Sequence, residues 1–229
     1  MPIKFLKKLL GKKDDIYIPS TFRGAGLPQT PSPRFKQIAE IREVASYKDL
    51  PLATGKDVLL IDDFNHGDID RYVKETINAE ATWELQDGLG LDGKGLKVHY
   101  KLGLVQAHRA ADLARKFIMH EGVQDWSGYS HLNFVIKVKK PTSILKVCVI
   151  DQDGDWWSFV NERLLLPDIW YWMKIPLREM YVLQDFSIQG NGVMDLDKVA
   201  EIRFLFDSIH MGSNLTENIV YLDQVFLSR

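Results

Sequence analysis

From Val58 to the end of the chain, apolar and polar residues alternate in short runs broken by Gly, Asp and Asn. That period of two is the mark of half-buried strands. Val58 to Phe64 is the first run. In the next, Leu96, Val98 and Tyr100 share one face while Lys97 and His99 take the other. Leu132, Phe134, Ile136 and Val138 point one way against Asn133 and Lys137. Leu145 to Ile150 is apolar on both faces at several positions, as expected of a central strand. Glu201 to Asp207 alternates again, and Val220 to Leu227 closes the chain. The stretch 106–119, with Ala107, Ala110, Ala111, Leu113, Ala114 and Phe117, has a helical composition, although a strand with an inserted turn fits it equally. Many short strands at this spacing predict an all-β, antiparallel sandwich or barrel.

The first 54 residues follow another pattern. On a helix, Ile3, Leu6 and Leu10 share a face with Phe5 and Leu9 alongside, and Lys4, Lys8 and Lys12 gather opposite. This is a short basic amphipathic segment of the kind that lies on an anionic membrane surface or in a partner's groove. At about three turns it is marginally helical when free in water, and a solubilising tail is an equal reading. Pro19, Pro28, Pro31 and Pro33 then predict an extended linker. Ile38, Ile41 and Val44, spaced by three, predict a short helix over 35–45. The expected organisation is an N-terminal arm, 1–54, and a β-sandwich binding domain, 55–229.

Composition narrows the function. The 229 residues carry a formal net charge of −2, which gives no electrostatic case for nucleic-acid binding. A lone cysteine, Cys148, excludes an intramolecular disulfide and a Cys-based zinc site, and its apolar neighbours make it a buried hydrophobe. No apolar run approaches the ~18 residues that cross a bilayer. The basic N-terminus has no apolar h-region or small-residue cleavage site, so the expected location is cytoplasmic, peripheral on the inner face of a membrane where the arm docks.

Several motifs bear on chemistry. Asp151-Gln152-Asp153-Gly154-Asp155-Trp156-Trp157 sets carboxylates beside indoles, a pairing that suits sugars, whose C–H faces stack on rings and whose hydroxyls donate to acids. The adjacent tryptophans point to opposite faces of a strand; Trp157 is assigned to the ligand, with Trp126, Tyr129 and Tyr171 as further candidates. Asp151, Asp153, Asp155 and Glu162 have the spacing of an EF-hand, but Trp156 stands where the loop requires Gly. Gly88-Leu89-Gly90-Leu91-Asp92-Gly93-Lys94 approaches a phosphate-binding loop, yet a strand follows instead of a helix, so it reads as a glycine-rich turn. The six histidines show no HxH or HExxH spacing, and no nucleophile–base pair is evident, so catalysis is not expected. Asn214-Leu215-Thr216 matches a glycosylation sequon, which carries little weight without secretion.

Taken in order, Leu60 to Asp68, Gly93 to Val98, Asp125 to Tyr129, Asp151 to Trp156, Ile175-Pro176-Leu177 and Val220 to Asp223 resemble two related groups. These are the galactose-binding-like jelly rolls of family 11 carbohydrate-binding modules and the domain of complex I intermediate-associated protein 30. The resemblance spans about residues 58 to 228. It implies a non-catalytic jelly-roll sandwich that grips a glycan on an aromatic and acidic concave face, or that serves protein assembly. It also implies a structural calcium ion where the first and last strands meet, with Asp62, Asp63 and Asp223 as oxygen donors; no other cofactor is expected. The leading expectation is an assembly or scaffold subunit docked to a protein complex or anionic membrane surface through Ile3, Lys4, Phe5, Leu6, Lys8, Leu9 and Leu10. The alternative is a carbohydrate-binding module.

Overall fold

The structure, a computed structural model, describes residues 39–55, 57–103, 109–142, 145–161, 163–183, 186–187, 189–207 and 217–229. The strands in chain order are β1 (Glu40–Val44), β2 (Val58–Asp62), β3 (Tyr72–Ile77), β4 (Ala79–Asp87), β5 (Lys94–Leu102) and β6 (Ala110–Lys116). Next come β7 (His131–Val138), β8 (Lys146–Asp151), β9 (Trp156–Val160) and β10 (Trp170–Pro176). The last three are β11 (Tyr181–Val182), β12 (Val199–Asp207) and β13 (Glu217–Ser228). Sheet A runs β1-β10-β7-β13-β5-β4, with β2 also on β13, and sheet B runs β11-β9-β8-β12-β6-β3. All of these pairings are antiparallel. The expected antiparallel sandwich is present.

The alternation seen in the sequence sets the core. Leu96, Val98 and Tyr100 on β5, and Leu132, Phe134 and Ile136 on β7, face Val147 and Val149 on β8 and Ile202, Phe204 and Phe206 on β12. Phe134 meets Phe204 edge-on at 5.2 Å between ring centroids, and Tyr100 stacks on Phe206 at 5.3 Å. Each such ring, fully withdrawn from water, contributes about 2–3 kcal/mol of burial and fixes the spacing of the sheets.

The alanine-rich stretch resolves into β6 and a single helical turn, α1 (Phe117–His120). Ala110, Ala111 and Ala114 are fully buried, so strand pairing on both sides outweighs the helical preference of alanine. The helix expected over 35–45 is corrected in the described part: Glu40–Val44 is strand β1, paired with β10 from Glu40↔Lys174 to Val44↔Trp170. Ala39 and Ile41 turn inward, and Val44 packs outside against a second cluster. The spacing of three between Ile41 and Val44 therefore reflects two faces of one edge strand. The arm boundary moves accordingly. The 3-10 turns Tyr47–Asp49 and Pro51–Thr54 carry Leu50, 2% exposed, onto Val135, Trp172 and Phe226 on the outer side of sheet A. Residues 39–55 are thus built into the sandwich.

The last strand carries one irregularity. β13 pairs with β5 up to Leu222 and with β2 from Val225, and its register against β7 shifts between Asp223 and Phe226. Gln224 takes a φ of 50° at this bulge. The bulge lets one long strand serve two neighbours in succession.

Candidate functional site

Trp156 and Trp157 do point to opposite faces of β9, but in the reverse of the expected roles. Trp157 packs against the main core, and its Nε1–H donates to Asp151 at 3.2 Å. Trp156 stands on the outer face of sheet B. The guanidinium carbon of Arg203 lies 4.9 Å from its ring centroid, and Phe186 packs on it at 5.2 Å with planes tilted by 32°. Phe186 is itself 46% exposed and carries this stack to the solvent.

Arg203 is the centre of a charged cluster on the same face. Its Nε donates to Glu201 at 2.7 Å, and Nη1 donates to Glu75 at 3.0 Å and Asp112 at 3.3 Å. Lys116 reaches Glu75 at 3.7 Å. The pairing register explains the convergence: Arg203 lies opposite Ala114 on β6 and Cys148 on β8, so residues of alternate parity on four strands project together. Burial works against the charge of Arg203, but Glu201, Glu75 and Asp112 more than offset it and hold the guanidinium above its usual range. Burial holds Glu201 above the usual carboxylate range, although Arg203 opposes the shift. Glu75 remains 43% exposed at the edge, so the cluster runs from a buried centre to an open lip. A strip of aromatic rings, a planar cation and carboxylates therefore crosses the outer face of sheet B. Arg203, Asp112 and Glu201 are buried within it, so Phe186 and the part-exposed Trp156 offer ring surface to C–H groups, and Glu75 and Lys116 at the lip offer an acceptor and a donor to hydroxyls.

The carboxylates singled out in the sequence do other work. Asp151, 3% exposed, accepts from the backbone N–H of Asp155 at 3.0 Å as well as from Trp157. Asp155, 1% exposed, accepts from Gly192 N–H at 2.7 Å, and Asp153 accepts from Asn191 Nδ2 at 2.8 Å. These bonds tie the β8–β9 turn to the loop at 190–195, so the three acids are corrected from ligand contacts to loop anchors. Burial pushes Asp151 above the usual carboxylate range in spite of its donors. Glu162, the twelfth position of the EF-hand spacing, lies outside the described residues.

Trp126 and Tyr171 are also corrected. Each is 1% exposed within the core, Trp126 edge-on to Phe117 at 5.8 Å, and their rings have no face to give a ligand. Tyr129 is half-buried and borders a depression of about 450 Å³ at one end of the sandwich.

The three acids assigned to calcium are each engaged within the chain, and among the described residues no group of three or more acidic, His or Cys side chains is placed to hold a metal. Asp62 accepts from Arg115 Nη1 at 2.5 Å and from the Tyr72 hydroxyl at 3.1 Å, and Asp63 caps the following turn through Asn65 N–H at 3.0 Å. Asp223, fully buried, accepts from Leu91 N–H and Gln224 N–H, each at 2.8 Å. The glycine-rich turn thus directs its amide at a carboxylate of its own chain. Gly90 is required there, because an added Cβ would lie 2.6 Å from Asp223 Oδ2 and 2.2 Å from Lys94 O. Burial raises Asp223 to about 7 against these donors. The docking residues Ile3 to Leu10, and the sequon at Asn214, lie outside the described residues.

Sequence reasoning missed Trp156, Arg203, Glu201, Asp112, Glu75 and Phe186. The polar alternates Glu201 and Arg203 between Ile202 and Phe204 were a usable signal, but the partner strands were not.

No protein-family model matches the chain, and comparison with curated proteins finds no significant relative. Solved structures do match. The family 11 carbohydrate-binding module from Clostridium thermocellum, in complex with a beta-1,3-1,4-mixed-linked tetrasaccharide, is 19% identical, with a TM-score of 0.56 over 75% of this chain and 95% of that one. The chain shares the antiparallel β-sandwich architecture of that module. The family 11 module of the cellulosomal cellulase Lic26A-Cel5E of Clostridium thermocellum gives 19% identity and a TM-score of 0.55, covering 75% and 94% of the two chains. A structure described for promiscuous specificity among carbohydrate-binding modules of the β-sandwich superfamily gives 15% and 0.52, over 72% and 60%. At these identities the likeness establishes architecture alone. The expected link to complex I intermediate-associated protein 30 gains no support from these matches.

Proposed function

We propose that this chain is a non-catalytic carbohydrate-binding module that receives a glycan along the outer face of sheet B. The observation that carries this reading is the Phe186–Trp156–Arg203 stack, continued by Glu201, Asp112 and Glu75, on a sandwich whose structural neighbours are carbohydrate-binding modules. A sugar ring lays its C–H face on the exposed Phe186 side of the stack, and hydroxyls reach Glu75 and Lys116 at the lip. The internal ion pairs keep Arg203 rigid, so little side-chain freedom is lost on binding. The scaffold reading draws on the arm at 1–54, whose docking residues Ile3 to Leu10 lie outside the described residues, and no observation on the sandwich favours it.

Isothermal titration with mixed-linkage β-glucan oligosaccharides tests the reading. Phe186→Ala is expected to weaken binding about tenfold, the loss of one stacking contact, with unfolding unchanged. Absence of binding across β-glucans and storage polysaccharides, or binding that is indifferent to Phe186→Ala, removes it.

A further inference from the structure

The depression beside Tyr129 lies where β7 begins and β10 and β13 end, apart from the strip on sheet B. Its walls include Tyr129, Ser130, His131, Arg178, Glu179 and Arg229, and its volume of about 450 Å³ falls within the range of sites for small organic ligands. Ser130 Oγ is 2.6 Å from His131 Nδ1 and 3.4 Å from the Ser228 carbonyl, which fixes the floor to the last strand. The backbone is pinned as well: Ser130 N–H donates to Ser228 O at 3.0 Å, and Leu177 N–H to Ser130 O at 2.9 Å. The site therefore has a rigid base, a half-buried ring on one side and guanidinium groups at the rim.

The charge is specific. Arg178 projects from the 3-10 turn Leu177–Glu179 and has no ion-pair partner among the described residues. Among the described residues the Arg229 side chain pairs with Asp57 at 3.4 Å, with both side chains 65% exposed, a contact too solvated to compete with a ligand. Burial and nearby Lys174 keep His131 below its usual range, so the imidazole is neutral at pH 7 and the positive charge comes from the arginines. Guanidinium groups match a carboxylate in planar, two-point fashion, while the tyrosine ring, serine hydroxyls and Glu179 suit the ring and hydroxyls of a sugar.

We infer that this end pocket is a second saccharide site, selective for a uronic acid residue whose carboxylate meets Arg178 and Arg229. It is independent of glycan binding on sheet B.

The probes are methyl β-D-glucuronide, methyl β-D-glucoside and acetate, each titrated into the full chain and followed by saturation-transfer NMR and chemical-shift changes. The glucuronide is expected to bind about tenfold more tightly than the glucoside or acetate, to weaken in high salt, and to lose at least fivefold with Arg178→Gln, an exposed change that leaves the far-UV spectrum intact. Glucuronide binding by a chain that ignores β-glucan supports the pocket and removes only the sheet-B reading. Equal binding of the glucoside overturns carboxylate recognition, equal binding of acetate overturns sugar recognition, and indifference to Arg178→Gln overturns the site.

Discussion

Replacing Asp223 by Asn should change how stability depends on pH, and the structure sets the size of the effect. Asp223 is fully buried, and its folded-state pKa lies near 7, against about 3.9 for an unfolded aspartate. The folded chain thus binds this proton more tightly than the unfolded chain does. The resulting stabilisation is complete below about pH 3.9 and is lost as pH rises through about 7. About three pH units at about 1.4 kcal/mol each give a loss of about 4 kcal/mol, an upper figure because water entering beneath the glycine-rich turn would reduce it. Asparagine imitates the protonated acid: its carbonyl oxygen still accepts from Leu91 N–H, and it never ionises. Wild type and variant should be similar near pH 4, where both are neutral at this position. By pH 8 the variant should be the more stable by as much as about 4 kcal/mol. Urea unfolding of both proteins at intervals from pH 4 to pH 8 measures this difference, in which the contributions of Asp151 and Glu201 cancel. Parallel stability profiles over that range would refute the reasoning, because they would mean that Asp223 is already hydrated in the folded state.

Two further substitutions separate structural roles from binding roles. Trp126→Ala removes a ring that is 1% exposed and should cost about 3–5 kcal/mol in chemical unfolding, while β-glucan titration of the protein that remains folded stays unchanged. Arg115→Met leaves Asp62 buried without its 2.5 Å partner and also strips the 2.6 Å bond to Glu121; a loss of about 3–5 kcal/mol is expected, largely recovered when Asp62→Asn is added. A double variant no more stable than Arg115→Met alone would show that packing, not stranded charge, sets the cost.

The alternation of side chains determined most of this fold from within the sequence. Leu96, Val98 and Tyr100, or Leu132, Phe134 and Ile136, have only one arrangement that buries them together, because a strand repeats every two residues. The opposed directions of Trp156 and Trp157 come from the same period, and so does the strand, β5, that follows the glycine-rich turn where a phosphate-binding loop would have a helix. What local pattern leaves open is which face meets the other sheet. Trp157 and Trp156 exchange roles once β9 pairs with β8, and Asp155 becomes an anchor once the loop at 190–195 folds against it. Likewise, β1 is a strand because β10 presents an edge to it, despite the spacing of its apolar residues. The strip around Arg203 draws Glu75, Asp112, Trp156 and Glu201 from four strands far apart in the chain. Such a site exists only through pairing register, which depends on contacts between distant segments and is set by the tertiary structure alone.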